Sequence, residues 1–187
     1  MGGWNRWGVI FLLWTLSRFA DGADLGGGGD YAGLCASCHG SSGQSSSPMT
    51  PSLAGQQASY IILQLKAYQE GRRRHAAMES VISDLSDADM SLMAAYYAGQ
   101  KPMRSKGNAA FATKGKVLYA QCKECHGAGG AGQGVNSRLA GQQAPYLSEQ
   151  LKAYKEGRRR NSVMNVIAAT LSEADIRALS EYLATLK

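Results

Sequence analysis

The stretch Cys35-Ala36-Ser37-Cys38-His39 recurs later in the chain as Cys122-Lys123-Glu124-Cys125-His126. Each copy has the form C-x-x-C-H, the attachment signature of c-type haem, in which two cysteines bond the haem vinyl groups and the histidine ligates iron. The two copies contain all four cysteines and two of the three histidines of the 187-residue chain. The sequence therefore predicts two covalent haem c groups. The predicted attachment residues and proximal ligands are Cys35, Cys38 and His39 for the first haem, and Cys122, Cys125 and His126 for the second.

A C-x-x-C pair also occurs as a thioredoxin-like redox couple or as half of a zinc site. Neither alternative explains why a histidine follows the second cysteine in both copies. Covalent haem is therefore the preferred interpretation of both motifs, and a protein without covalent haem would contradict it.

The first 22 residues have the pattern of a secretory signal peptide. A basic start, Met1 to Arg6, precedes the apolar stretch Trp7 to Leu16 and a small residue at Gly22. Arg6 and Arg18 bracket eleven residues, whereas a membrane-spanning helix needs about 20. We expect cleavage after Gly22, with Ala20 and Ala23 as alternative sites, and export to the periplasm. An uncleaved membrane anchor is the other interpretation.

Four further segments occur twice, at a constant offset of 86 residues, which indicates an internal duplication. The paired segments begin at Leu53 and Leu139, Gln64 and Gln150, Glu70 and Glu156, and Leu85 and Leu171. The sequence therefore predicts a signal peptide (1–22), a first haem domain (24–99), a polar linker (100–109) that contains Pro and Gly, and a second haem domain (110–187).

Both domains are predicted to be all-α, because apolar residues recur at helical spacing and no alternating strand pattern is present. One helix is expected from Gln56 to Glu70 and ends at Gly71, and the equivalent helix of the second domain ends at Gly157. Another helix is expected from Lys114 to Cys125. Capping boxes of the form Ser-x-x-Asp precede the last helix of each domain. They begin at Ser86 and Ser172, and the helices that follow are predicted over 90–98 and 176–186.

The repeat also selects the second axial ligand, since both domains should supply it from the same position. Met78 and Met164 are the methionines that align with each other. Met103 lies in the linker. The remaining methionines align with apolar residues: Met49 with Val135, Met90 with Ile176, and Met93 with Leu179. Methionine sulfur raises the haem potential, and a closed sixth position favours electron transfer over catalysis. His75 is the rival ligand in the first domain, but its counterpart is Asn161.

Two arginine triplets precede the predicted methionine ligands. They consist of Arg72, Arg73 and Arg74 and of Arg158, Arg159 and Arg160. Three interpretations stay open: a solvated basic loop, contacts to haem propionates, and docking to an acidic redox partner. The net charge of +6 is weak evidence for nucleic-acid binding, because propionates would offset part of it and no basic-aromatic stripe is present.

With the haem motifs, the repeat and the paired methionines in place, the chain resembles the dihaem cytochrome c4 family over essentially its whole mature length. The resemblance implies two class I cytochrome c folds related by a pseudo-twofold axis. It also implies a periplasmic carrier, often membrane-associated, that passes electrons from a quinol-oxidising cytochrome bc complex to a terminal oxidase or reductase.

In class I cytochromes a proline commonly lends its carbonyl to the haem histidine. Pro51 matches that role in the first domain, but its counterpart is Ser137. Because the bond uses main chain, we expect the second histidine to find a carbonyl as well.

Two other functions remain open at this stage. The first is a dihaem electron-accepting subunit of a dehydrogenase, as in flavocytochrome c. The second is a dihaem peroxidase, which would need a haem with an open or releasable sixth position. The paired methionines favour a carrier over an enzyme.

Overall fold

A computed structural model describes residues 31–187, with side chains from Gly33 onward. Within this range the chain forms nine α-helices and one 3₁₀ helix and contains no strand beyond isolated bridges. The predicted signal peptide lies outside the described residues. No helix within 31–187 is both long and apolar enough to cross a membrane.

The helices follow the same order in each half of the chain. In the first half they are α1 Tyr31–His39, α2 Ala58–Gln69, α3 Ala76–Ile82 and α4 Asp87–Ala98. In the second half a 3₁₀ helix, Ala109–Phe111, precedes α5 Ala112–Tyr119, α6 Lys123–His126, α7 Ala144–Lys155, α8 Ser162–Ala169 and α9 Glu173–Thr185.

Two helix predictions differ from the structure in detail. The helix predicted from Lys114 to Cys125 is interrupted by a turn at 120–122, so that α5 ends at Tyr119 and α6 is a separate short turn. The last helices begin directly after Ser86 and Ser172, because each serine is the N-cap and its side chain accepts from the backbone N–H three residues on. Both capping boxes are complete, as predicted.

Each half has its own apolar core, built where the long helix crosses the last one. In the second half the buried cluster consists of Tyr119, Leu147, Leu171, Ile176, Leu179 and Leu183. In the first half the clusters consist of Tyr68, Ile82, Leu85, Met90 and Met93, and of Ile61, Ala94 and Tyr97. Met90 and Met93 are thus core residues. Cys35 and Cys122 pack against these clusters, so each haem motif borders an apolar core.

A reciprocal pair of glutamines joins the two halves. The Gln56 side chain accepts from the Arg138 N–H at 2.7 Å and donates to the Arg138 carbonyl at 3.1 Å. The Gln142 side chain makes the same two bonds to Ser52, both at 2.9 Å. Since the repeat offset of 86 residues relates Gln56 to Gln142 and Ser52 to Arg138, the exchange has the symmetry of a twofold axis.

The neighbouring glutamines extend this interface. Gln57 donates to the Ala131 carbonyl at 2.6 Å, and Gln143 donates to the Ser45 carbonyl at 2.8 Å. Ser45 and Ala131 are again related by the repeat offset. The duplicated Gln-Gln pair therefore encodes the contact between domains.

The glycine before each Gln-Gln pair is required by the backbone and by the linker. Gly55 and Gly141 have φ values of 67° and 72°, in the region that glycine occupies without strain. A side chain on Gly55 would collide with Pro102, and one on Gly141 would collide with the Met103 carbonyl. The linker therefore lies directly against both halves of the interface.

The capping box of α9 should make stability sensitive to acid. Hydrogen bonds from Lys114 and then from Ser172 lower the pKa of Asp175 to about 2, against roughly 3.9 in an unfolded chain. Because the folded pKa is the lower one, the stabilisation is complete above about pH 4 and disappears as the pH falls through about 2. We expect the difference in urea midpoint between the unmodified protein and Asp175→Asn to shrink over this window.

The matched control for this prediction is Asp89→Asn in α4. The pKa of Asp89 is lowered by hydrogen bonds from Ser86, without the lysine that Asp175 has. Between about pH 4 and pH 2 the difference in urea midpoint between the unmodified protein and Asp89→Asn should therefore change less than the difference for Asp175→Asn. A midpoint difference for Asp175→Asn that is constant between about pH 4 and pH 2 would contradict the prediction.

Candidate haem sites

Both haem-motif histidines are held by a backbone carbonyl. His39 Nδ1 donates to the Pro51 carbonyl and His126 Nδ1 to the Ser137 carbonyl, each at 2.8 Å. The expected carbonyl bond is therefore confirmed in both domains, and serine serves as well as proline because the bond uses main chain.

This hydrogen bond determines which histidine nitrogen can bind iron. A proton on Nδ1 leaves the Nε2 lone pair available as a ligand and fixes the ring orientation. Burial lowers the pKa of both imidazoles, against the raising effect of the carbonyl bond. Both rings are thus kept in the neutral form that iron ligation requires.

The four cysteines form two like pairs, one in each haem motif. In each pair the first thiol, of Cys35 or Cys122, is half-buried against the core, and the second, of Cys38 or Cys125, is exposed. Within the described part of the chain no three His, Cys, Asp or Glu residues form a metal cluster.

The two predicted methionine ligands occupy equivalent places. Each is the third residue of its helix, Met78 in α3 and Met164 in α8, and each is half-buried. Met78 packs against the cluster that also contacts Cys35. By contrast, Met49 is 54% exposed and His75 is exposed. Paired cysteines and an imidazole with a free Nε2 are the groups that haem c attachment requires, and a half-buried thioether can complete the ligation of iron. The residues of both domains therefore fit the group.

The middle arginine of the first triplet is buried in the interface between domains. Arg73 is 8% exposed. Its guanidinium donates to Gln64 at 3.1 Å within the first domain and, across the interface, to Tyr146 and Gln150, both at 2.9 Å. It also lies 4.6 Å from the centre of the Tyr68 ring, within the range of a cation–π contact.

The middle arginine of the second triplet makes the mirrored contacts. Arg159 is 5% exposed and donates to Gln150 at 2.7 Å, to Tyr60 at 2.8 Å and to Gln64. Its guanidinium lies 4.5 Å from the centre of the Tyr154 ring. The interpretation of the triplets as solvated loops is therefore wrong for Arg73 and Arg159, because their side chains cross to the opposite domain.

Among the residues described, both of these guanidiniums contact neutral side chains and neither pairs with a carboxylate. Burial acts to raise the pKa of Tyr60, yet Arg159 and Arg73 together lower it. A buried charge is costly when no opposite charge lies beside it. Two such positive charges next to each other therefore form a site that favours anionic groups. A cavity of about 290 Å³ lies beside Arg73 and Arg159.

The outer arginines of the triplets lie nearer to solvent. Arg72 pairs with Glu70, and Arg158 pairs with Glu156 at 2.6 Å and Glu149 at 2.9 Å. Arg74 is 69% exposed along its side chain, and Arg160 is exposed. Surface accessibility thus separates the outer arginines from the middle ones.

Sequence reasoning did not identify the polar residues of the interface. Tyr60 and Tyr146, Gln64 and Gln150 and the two Gln-Gln pairs were visible only as parts of the repeat. The available signal was that uncharged polar residues recur at the same positions of both copies. Duplication alone also makes residues recur, so this signal does not by itself identify a contact.

The chain is similar to known proteins in both sequence and structure. It matches the cytochrome c family model over residues 29–100 and again over 112–187. It is 34% identical to cytochrome c4 of Pseudomonas aeruginosa, over 94% of this chain and 96% of that protein. It is 32% identical to a thiosulfate dehydrogenase electron acceptor of Stutzerimonas stutzeri, over 97% and 94% of the two chains. The crystal structure of reduced cytochrome c4 from Pseudomonas stutzeri superposes with a TM-score of 0.79 at 33% identity, covering 84% of this chain and 97% of the other.

Proposed function

Because the chain belongs to the cytochrome c4 family, we propose that it carries electrons in the periplasm between a quinol-oxidising cytochrome bc complex and a terminal oxidase or reductase. The protein is a dihaem electron-transfer cytochrome with two covalently bound haem c groups in two all-α domains. Export is supported by the signal-like residues 1–22.

The residue roles belong to the same proposal. Cys35 and Cys38 attach the first haem, with His39 and Met78 as axial ligands. In the second domain the equivalent residues are Cys122, Cys125, His126 and Met164. For the histidines the observation that carries the assignment is the pair of equal Nδ1–carbonyl bonds, which leave Nε2 available as a ligand. For the methionines it is their equivalent, half-buried place as the third residue of α3 and of α8. When bound, the irons supply one-electron exchange between the ferric and ferrous states.

The interface arginines support a narrower version of the propionate hypothesis. We assign Arg73 and Arg159, out of the six candidates, to the haem propionates. Their guanidiniums are buried and contact only neutral groups among the described residues, and arginine suits bidentate contacts to carboxylates. Docking to an acidic partner then rests on the outer arginines, of which Arg74 and Arg160 are the more exposed.

A second candidate role is that of electron acceptor for a dehydrogenase, which the sequence analysis left open. The observation in its favour is the 32% identity to a thiosulfate dehydrogenase electron acceptor, over 97% of this chain. Thiosulfate dehydrogenase is therefore the dehydrogenase to test as donor. Both roles use the same haems and differ in the protein that reduces them.

Stopped-flow reduction of the oxidised holoprotein separates the two roles. One arm uses a reduced bc complex as donor and the other uses thiosulfate with thiosulfate dehydrogenase. Fast saturable reduction in the first arm supports the carrier role, and reduction confined to the second supports the acceptor role. Failure of both donors would contradict both roles.

The docking role of the outer arginines is tested in the same assay. We expect Arg74→Glu with Arg160→Glu to slow reduction roughly tenfold at low ionic strength and much less at high salt, because exposed charges steer encounters and are screened. The matched control, Lys101→Glu with Lys116→Glu, changes the net charge equally at other exposed residues. Equal slowing by both double variants would show a general charge effect and remove the docking role.

A further inference from the structure

The helices that carry the proposed methionine ligands are capped differently. In α8 the Asn161 side chain accepts from the N–H of Val163 at 3.1 Å and from the N–H of Met164 itself at 2.9 Å. The residue at the equivalent position before α3 is His75, whose side chain makes no cap hydrogen bond. The backbone of Met164 is thus fixed by a side chain, whereas that of Met78 lacks this restraint.

A second asymmetry lies one turn further along each helix. Asn165 accepts from the Asn161 N–H at 2.7 Å, while its amide nitrogen donates to the carbonyls of Tyr154 and Arg159, the latter at 2.9 Å. These two bonds tie α8 to the end of α7 and to the backbone of the buried interface arginine.

Glu79 occupies the equivalent position in α3 and can replace only one of these contacts. Its carboxylate accepts from the His75 N–H at 2.8 Å and pairs with Arg74 at 3.4 Å. An ionised carboxylate has no hydrogen to donate, so it cannot reach back to carbonyls as Asn165 does. The second ligand helix therefore has four side-chain bonds that the first lacks.

Apolar packing favours retention of Met78 in its place, but it restrains the orientation of the helix less than hydrogen bonds do. Met78 packs against the cluster around Tyr68 and Ile82, which retains the side chain in an apolar environment. Such contacts do not fix the position of the first helical turn, whereas hydrogen bonds to its N–H groups do. Gln69 donates to the Ile82 carbonyl at 3.2 Å and ties the end of α3 to α2, so the weaker restraint is on the first turn of α3, which carries Met78.

We propose that Asn161 and Asn165 are positioning residues that hold Met164 on the second iron, and that His75 and Glu79 leave Met78 as the exchangeable ligand. The first haem then has a sixth position open to small neutral nitrogen donors, of which imidazole is the simplest. This inference rests on the proposed His–Met ligation of both haems. In chemical terms one Fe–S bond breaks, one Fe–N bond forms, and the oxidation state of iron does not change.

Imidazole titration of the oxidised holoprotein tests the proposal. Binding is monitored through the loss of the red-region methionine-to-ferric charge-transfer band. The Met78→Ala and Met164→Ala variants each retain the band of one haem and so assign the signal to the first or the second haem. We expect the first haem to bind imidazole at least about tenfold more tightly than the second, a ratio that corresponds to about 1.4 kcal/mol.

Exchange of the capping residues provides the matched variants. His75→Asn with Glu79→Asn should weaken imidazole binding at the first haem toward the value of the second. Asn161→His with Asn165→Glu should strengthen binding at the second haem. Glu79→Asn alone leaves His75 in place and should give an intermediate effect, which separates positioning from any ligation by His75.

The possible results distinguish the inference from the proposed function. Equal imidazole affinities at the two haems, or no change in the His75→Asn/Glu79→Asn variant, would overturn the inference and leave the ligation intact. Absence of the charge-transfer band before any imidazole is added would overturn the ligation itself. If the Asn161→His/Asn165→Glu protein does not fold, the imidazole affinity of the His75→Asn/Glu79→Asn variant still tests the inference.

Discussion

Replacing Met78 with alanine is expected to lower the reduction potential of the first haem by on the order of 0.1 V or more, within the roughly 0.8 V that axial ligands span. The second haem should keep its potential. Thioether sulfur stabilises ferrous iron, and alanine offers no donor, so water or another ligand would take the position. Met164→Ala should have the same effect on the second haem alone.

An optically followed redox titration measures this prediction directly. Each variant should also lose half of the methionine-to-ferric charge-transfer absorption, and its opened ferrous haem should bind carbon monoxide. Met49→Ala is the matched control, because Met49 is 54% exposed and aligns with Val135. Full two-haem charge-transfer intensity in either ligand variant would refute the corresponding assignment.

The second large effect is expected from Gln56→Ala combined with Gln142→Ala. Each glutamine satisfies both backbone groups of one residue in the opposite domain, Arg138 or Ser52. Each buried polar group left without a partner costs about 1–3 kcal/mol. Three such groups lose their partner, because the Arg138 N–H also bonds the Gln57 side chain at 3.0 Å. The double variant should therefore lose about 3 kcal/mol or more of interface stability, and the two domains should unfold separately.

Urea unfolding, monitored at the haem absorption and by circular dichroism, tests this prediction. The unmodified protein should unfold in one transition and the double variant in two. Gln69→Ala is the control, because Gln69 donates to the Ile82 and Leu85 carbonyls within the first domain and its loss should weaken that domain alone. A single, unshifted transition in the double variant would show that the glutamine contacts do not hold the domains together.

The features that could be read from sequence are those that local chemistry defines. The C-x-x-C-H motifs require only adjacent residues, and the capping boxes require only residues three apart. The carbonyl partner of His126 was also predictable despite the change from proline to serine, since a backbone carbonyl is present at every residue. The methionine pair needed one further step, the register of the repeat.

The features that sequence did not reveal depend on which surfaces meet. The arginine triplets had three open interpretations, because a charged residue in a loop has the same local pattern whether solvent or another domain surrounds it. The structure separated Arg73 and Arg159, which are buried, from Arg74 and Arg160. The turn at 120–122 was not predicted either, because no glycine or proline lies between Tyr119 and Cys125 to mark it.

The sequence by itself thus determined two covalent haem sites, an all-α fold for each, and their origin by duplication, because these depend on bonds and spacings along the chain. Only the tertiary structure decided how the copies associate: each contributes glutamines and one arginine to the other across a pseudo-twofold axis. The physical reason is that burial and hydrogen-bond partners between segments more than 70 residues apart follow from packing, which no local pattern specifies.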